Sequence, residues 1–237
     1  MKNFNLILAI FVTICFTDIK AQNNADHSVW DQLLILNVSE VGKVNYKGVM
    51  KDSSLFYEYF RSLSQNPPTD EWSREEKLAY WVNAYNAIAL KMIIDNYPVE
   101  SINELHDPWK QRFFKVNDKR YSLDDIEHEV LRKFDEPRIH FVINCASNSS
   151  PKLLNMAYTA ENINEALEKC TTMFINDPSK NTITSSEVKV SKIFEWYKDD
   201  FNNGNVVDFI NQYANVKINK IPKKGYVEYD WSLNEQL

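Results

Sequence analysis

His140 and Cys145 stand five residues apart in the run Ile139-His-Phe-Val-Ile-Asn-Cys145, where an apolar, β-branched stretch gives way to a polar loop. A cysteine at such a junction, with an imidazole able to take its proton, is the minimal equipment for thiol nucleophilic catalysis. Asn144 and the backbone N–H groups of the following Ala-Ser-Asn-Ser-Ser stretch can donate to an oxyanion. The spacing carries an objection. If residues 139–143 form an unbroken strand, the odd offset turns His140 and Cys145 to opposite faces. His128, adjacent to Glu127, is therefore the alternative base. His27 and His106 lie in polar segments and read as solvent-facing.

The same side chains compete for a second use, because Glu127, His128, His140 and Cys145 are all competent metal ligands. None falls in a compact ligand motif, so no metal or other cofactor is assigned. Asp124-Asp125 reads as helix-start charge and Asp199-Asp200 as a solvated face.

These residues need elements to position them. Ser73-Arg-Glu-Glu76 is a capping box, and the helix it opens runs to about Asn96, before Pro98. Leu78, Trp81, Val82, Tyr85, Ile88, Ala89, Met92 and Ile93 recur at three- and four-residue steps, while Ala84, Ala87, Leu90 and Ile94 cover the other side. A helix apolar nearly all round is a central, buried one. Asn83 and Asn86 share a face of it and need hydrogen-bond partners, either a neighbouring loop or a ligand.

Around it the pattern predicts a helix from Ser28, an extended segment over 43–50, a helix over 55–63 and a hairpin about Asn117-Asp118. A helix follows over 123–133, capped by Ser122 and carrying Glu127 and His128, then a buried strand over 139–143. Further on the pattern predicts a helix from a Thr159 cap to about 175, a hairpin over 182–190, helices over 192–201 and 206–213, and a last strand over 226–231. The fold class is α+β: one helix-rich domain with a central buried helix and a small, mostly antiparallel sheet.

Composition narrows the function classes. Only 4 of the 237 residues are glycine, at Gly42, Gly48, Gly204 and Gly225, too scattered for a phosphate-cradling loop, which argues against a nucleotide site. The net charge of −6, with no basic block, argues against nucleic acid.

Residues 1–21 read as a signal peptide: Lys2 starts it, Leu6 to Phe16 is apolar, and Ala21 offers a small residue before a cut ahead of Gln22. A lipid anchor on Cys15 or an uncleaved leader are the alternatives. Residues 22–237 then form a single exported domain, periplasmic or secreted, with no membrane span after cleavage. Its net charge becomes −7, since Lys2, Lys20 and Asp18 leave. Cys145 and Cys170 remain, as one disulfide or two thiols.

The segments LAYWVNAYNAIAL, SINELHDPWKQRFFKV, YSLDDIEHEVLR, PRIHFVINCAS with the following YTAENI, and YDWSLN occur in that order. Together they resemble the Domain of Unknown Function 547 family, across residues 28–234. The family has no established biochemical function. The resemblance implies marked positions at Trp81, Asn83, Tyr85, Asn86, Glu127, His128, Arg132, His140, Cys145, Asp230 and Trp231. Many members also carry a second cysteine before the proline of the Cys loop. Here that position is Ser150, which argues against a two-cysteine redox or metal role.

Two functional readings follow. One is a thiol-dependent hydrolase or acyltransferase with Cys145 as nucleophile, His140 or His128 as base, Glu127 in support, and Asn83, Tyr85, Asn86, Arg132, Asn144 and Asp230 binding or orienting. The other is a non-enzymatic domain that holds a small ligand or a peptide with the same cluster.

Overall fold

The computed structural model describes residues 25–184, 187–219 and 224–236; the proposed leader, 1–21, lies outside them. Helix α4 (Arg74–Asn96) is the axis of the molecule. Its capping box forms as the sequence requires: Ser73 Oγ accepts from the Glu76 N–H at 3.1 Å, and Glu76 Oε2 accepts from the Ser73 N–H at 2.6 Å. The run from Leu78 to Leu90 is buried without interruption, so no face of that stretch meets solvent. No helix among the described residues is long and apolar enough to cross a membrane.

Helices α1 (Ser28–Asn37), α2 (Tyr46–Lys51) and α3 (Ser53–Gln65) pack on one side, where Trp30 stacks on Tyr59 at 5.3 Å between ring centroids. The hairpin β1 (Phe114–Val116) with β2 (Lys119–Tyr121) is antiparallel. On the other side α5 (Ile163–Ile175) packs against α4 and against the turn at Pro137–Phe141. A second sheet joins β3 (Thr182–Ile183), β4 (Val188–Val190) and β5 (Lys224–Tyr226), antiparallel between the first two and parallel between the last two. The short helix α6 (Ile193–Trp196) and helix α7 (Val206–Tyr213) complete a helix-rich α+β fold.

Several local expectations are corrected. Residues 43–50 are not extended: Asn45 caps α2 by accepting from the Gly48 N–H at 2.9 Å. Helix α1 starts at Ser28 as expected, and Asp31 in its first turn accepts from the Ala157 N–H at 2.8 Å. Thr159 gives no side-chain cap; its N–H donates to Asn162 Oδ1, and α5 starts at Ile163. The helix expected over 192–201 splits into α6 and a tight turn at Lys198–Asp200. The last strand ends at Tyr226, and the segment beyond it makes isolated bridges from Ser232, Leu233 and Glu235 to Ser101, Ser147 and Val44.

The correction that matters for the site is at residues 139–143. They form no strand; Pro137–Phe141 is a 3₁₀ turn, with Pro137 at its start and Glu136 accepting from the Arg138 N–H. An apolar run cannot become a buried strand without a neighbour to pair its backbone. Here a side chain supplies that pairing. Asn86 Nδ2 donates to the Val142 carbonyl at 3.0 Å and Asn86 Oδ1 accepts from the Asn144 N–H at 2.8 Å. The strand-based objection to His140 and Cys145 facing one site therefore falls away.

Candidate active site

The segment carrying Glu127 and His128 is helical, as expected, but it widens to π geometry over Asp125–Val130 and tightens to 3₁₀ over Leu131–Phe134. Such bulges re-aim side chains and recur at functional sites. Ser122 opens it, accepting from the Asp125 N–H at 3.1 Å. Hydrogen bonds from Arg112, chief among several influences, hold the Asp125 carboxyl well below the usual carboxylate range. Glu127 is turned inward and buried, while His128 is turned out.

A cleft of about 250 Å³ opens between this segment, the Cys loop and the C-terminal residues. Cys145, His140, Glu127 and Tyr85 all line it, so four of the residues singled out in the sequence converge. Tyr85 reaches Glu127 Oε2 with its hydroxyl at 3.3 Å, and burial followed by the Glu127 charge keeps that phenol well above its ordinary pKa. Cys145 is half-buried and unpaired. Its Sγ lies 2.8 Å from Ser150 Oγ and 3.6 Å from both Ser147 Oγ and the Tyr229 hydroxyl.

His140 is fully buried, with Nε2 at 2.8 Å from Asp200 Oδ2 and Nδ1 at 3.7 Å from Glu127 Oε1. Its ring stacks on Tyr197 at 4.0 Å. Asp200 is gripped by Arg132 as well, through Nε at 2.7 Å and Nη2 at 2.6 Å. Burial pushes the Asp200 carboxyl up, but the bonds from His140 and Arg132 outweigh it and hold the group well below the carboxylate range. Arg132, Asp200 and His140 are hydrogen-bonded in series, and across a 3.7 Å gap from His140 stands Glu127, which accepts from Tyr85. Asp200 is thus no part of a solvated face, contrary to the expectation from its charge. The sequence offers only its place in an aromatic and acidic stretch, Trp196-Tyr-Lys-Asp-Asp200, as a signal.

Other expected residues lie elsewhere. His128 does not line the cleft; its Nδ1 sits 3.2 Å from Arg132 Nη1 on the outer side. Arg132 is paired with Asp200. Asn83 and Asn86 serve backbone: Asn83 donates to the Tyr158 carbonyl at 2.7 Å and accepts from the Tyr158 N–H at 3.1 Å. Asn144 is a loop-former, accepting from the Ala146 N–H and donating to the Pro151 carbonyl. The loop N–H groups at Cys145, Ala146, Asn148, Ser149 and Ser150 are likewise spent within the loop or on the C-terminal segment, which removes them as oxyanion donors. Asp230 lies exposed outside the cleft and fastens that segment, with its N–H donating to Ser149 Oγ at 2.8 Å.

His27, expected in solvent, is half-buried against the Tyr59 hydroxyl at 2.8 Å. Cys170 is buried in α5 as a thiol, so the two cysteines form no disulfide. No group of three or more histidine, cysteine, aspartate or glutamate side chains is arranged to hold a metal ion among the described residues.

The helix-borne asparagines, the Glu127-His128 turn and the Cys loop all fall within one stretch that matches a known family model. Residues 69–175 match the family described as Protein of unknown function, DUF547. The chain resembles that family. The DUF547 match contains the α4 axis, Glu127, His140 and Cys145, whereas Asp200, Tyr229 and Trp231 complete the site from outside it. No curated protein and no solved structure matches the chain.

Proposed function

We propose that this is an exported thiol-dependent hydrolase or acyltransferase with Cys145 as nucleophile. The observation that carries the reading is that Cys145 stands in the wall of one cleft with Glu127 and His140, while Asp200 and Arg132 fix the imidazole from behind. In the reaction, Cys145 Sγ forms a bond to an acyl carbon. The thiol proton passes to the Glu127–His140 pair, directly or across one water, and is returned to the leaving group as the acyl bond breaks. Water or another acceptor then releases the acyl group from sulfur. Asp200 plays the part of an orienting carboxylate, holding His140 with its proton on Nε2 and its lone pair on Nδ1 when the ring is neutral. The Ser147, Ser150 and Tyr229 hydroxyls surround the sulfur as the polar setting of the reaction.

The test is acyl trapping. Incubation with p-nitrophenyl acetate followed by mass spectrometry of peptides should show acetylation on Cys145 and none on Cys170, whose thiol burial pushes up to about 11. Cys145→Ala should abolish both the adduct and any nitrophenol burst. A folded wild-type chain that never acylates at Cys145 leaves the binding-domain reading, in which the cleft holds a ligand without chemistry.

A further inference from the structure

We propose that the cleft beside Cys145 binds a primary alkylammonium group, of the kind a lysine side chain or a diamine carries. The inference rests on the cleft being a substrate site, but not on the reactivity of Cys145. Three observations point to it. First, no lysine, arginine, asparagine or glutamine among the described residues lines the cleft, whereas Asp124 and Glu127 do. A carboxylate ligand would meet like charge there, and a saccharide would find few N–H donors for its hydroxyl oxygens.

Second, the wall is aromatic and continuous. Trp231 lies 5.8 Å from Trp109, 5.9 Å from Trp196 and 4.5 Å from Tyr229 between ring centroids. Ring faces attract cations, and most strongly where water is excluded.

Third, two buried polar atoms lack partners. Glu127 Oε1 and His140 Nδ1 have no hydrogen-bond partner, and their side chains are only 8% and 1% exposed. The two atoms stand 3.7 Å apart, and Nδ1 is an acceptor in the neutral ring whose proton is on Nε2 toward Asp200. An ammonium group brings three N–H donors and a positive charge to that end of an aromatic cleft.

The experiment uses the Cys145→Ala chain, which binds without reacting, and follows tryptophan fluorescence during titration with n-butylammonium, 1-butanol, butyrate and cellobiose. Butylammonium should quench saturably and bind at least about ten-fold more tightly than 1-butanol, the equivalent of a desolvated cation–π contact and a charge pair. Glu127→Gln should erase most of that preference, read as the ratio of butylammonium to 1-butanol affinity. Because Glu127 is buried, Asp124→Asn at the cleft wall is the second variant, expected to weaken butylammonium several-fold. Equal affinity for butanol and butylammonium would overturn the proposal, as would cellobiose binding where the cation does not, or cation binding indifferent to both variants. Acylation of wild-type Cys145 with no ammonium preference in the variant would defeat this inference alone. Ammonium binding without acylation would defeat only the catalytic reading.

Discussion

His140 Nε2 and Asp200 Oδ2 meet at 2.8 Å across 60 positions of sequence, and this contact turns a core histidine into an oriented one. Asp200 is also the only carboxylate that Arg132 grips with two nitrogens among the described residues. Asp200→Asn should therefore do two separable things. It should cost about 1–3 kcal/mol of stability, because Arg132 loses its charged partner, as measured by urea unfolding. It should also loosen the His140 ring, which long-range ¹⁵N–¹H spectra would register as a loss of the Nε2–H tautomer. Asp199→Asn, one residue away and exposed, should change neither. An Asp200→Asn chain with an unaltered His140 spectrum would refute the orienting role.

Asn86 is 2% exposed and ties two backbone groups of the Cys loop to α4. Asn86→Ala would leave the Val142 carbonyl and the Asn144 N–H unpaired in the interior, at about 1–3 kcal/mol for each group left unmade. Asn83→Ala should cost a similar amount at the Tyr158 backbone. Thermal unfolding measures both. The two should differ in a second respect: only Asn86→Ala should speed alkylation of Cys145 by iodoacetamide, since only it frees the loop.

What is legible in the sequence follows from which interactions are local. The capping box, the all-round apolar character of α4 and the hairpin at Asn117-Asp118 are each decided within a few residues, and they appear where the pattern puts them. The run at 139–143 misleads because strand propensity is decided by a partner, and here the partner is Asn86, more than fifty residues earlier. The site divides in the same way. Cys145, Glu127 and His140 stand out by residue type, Tyr85 only through the family resemblance, and the structure gathers all four. Asp200 and Tyr229 do not, because their meaning lies wholly in contacts of long sequence separation. His128 attracts notice for the converse reason: adjacency to Glu127 on a helix turns two side chains apart rather than together.

Ser150 Oγ lies 2.8 Å from Cys145 Sγ, so the side chain at position 150 is aimed at the sulfur. Ser150→Cys should place two sulfurs within disulfide reach after a small side-chain rotation. The expected outcome is a disulfide between Cys145 and the introduced thiol under mild oxidation, seen as loss of both thiols to alkylation and their recovery with dithiothreitol. Ser147→Cys, whose oxygen is 3.6 Å away, is the comparison. It should oxidise less readily. Two free thiols in air-equilibrated Ser150→Cys protein would show that the loop holds these side chains apart more firmly than their separation suggests.

His27 supplies the pH dependence. Burial, the dominant influence, lowers its pKa from 6.5 to about 4. The folded protein therefore keeps His27 neutral where an unfolded chain would protonate it. Above the unfolded value both states carry no proton there, so stability is at its full level. As pH falls from 6.5 toward 4 the unfolded state binds the extra proton first, and stability declines by about 3 kcal/mol before levelling off below the folded pKa. His27→Gln keeps a partner for the Tyr59 hydroxyl but cannot titrate. Urea midpoints taken at intervals between about pH 7 and pH 4 should fall more steeply for the wild type than for His27→Gln, the gap opening only below 6.5. Parallel curves for the two proteins would mean that the ring takes up its proton in place, with Tyr59 turning to accept from it.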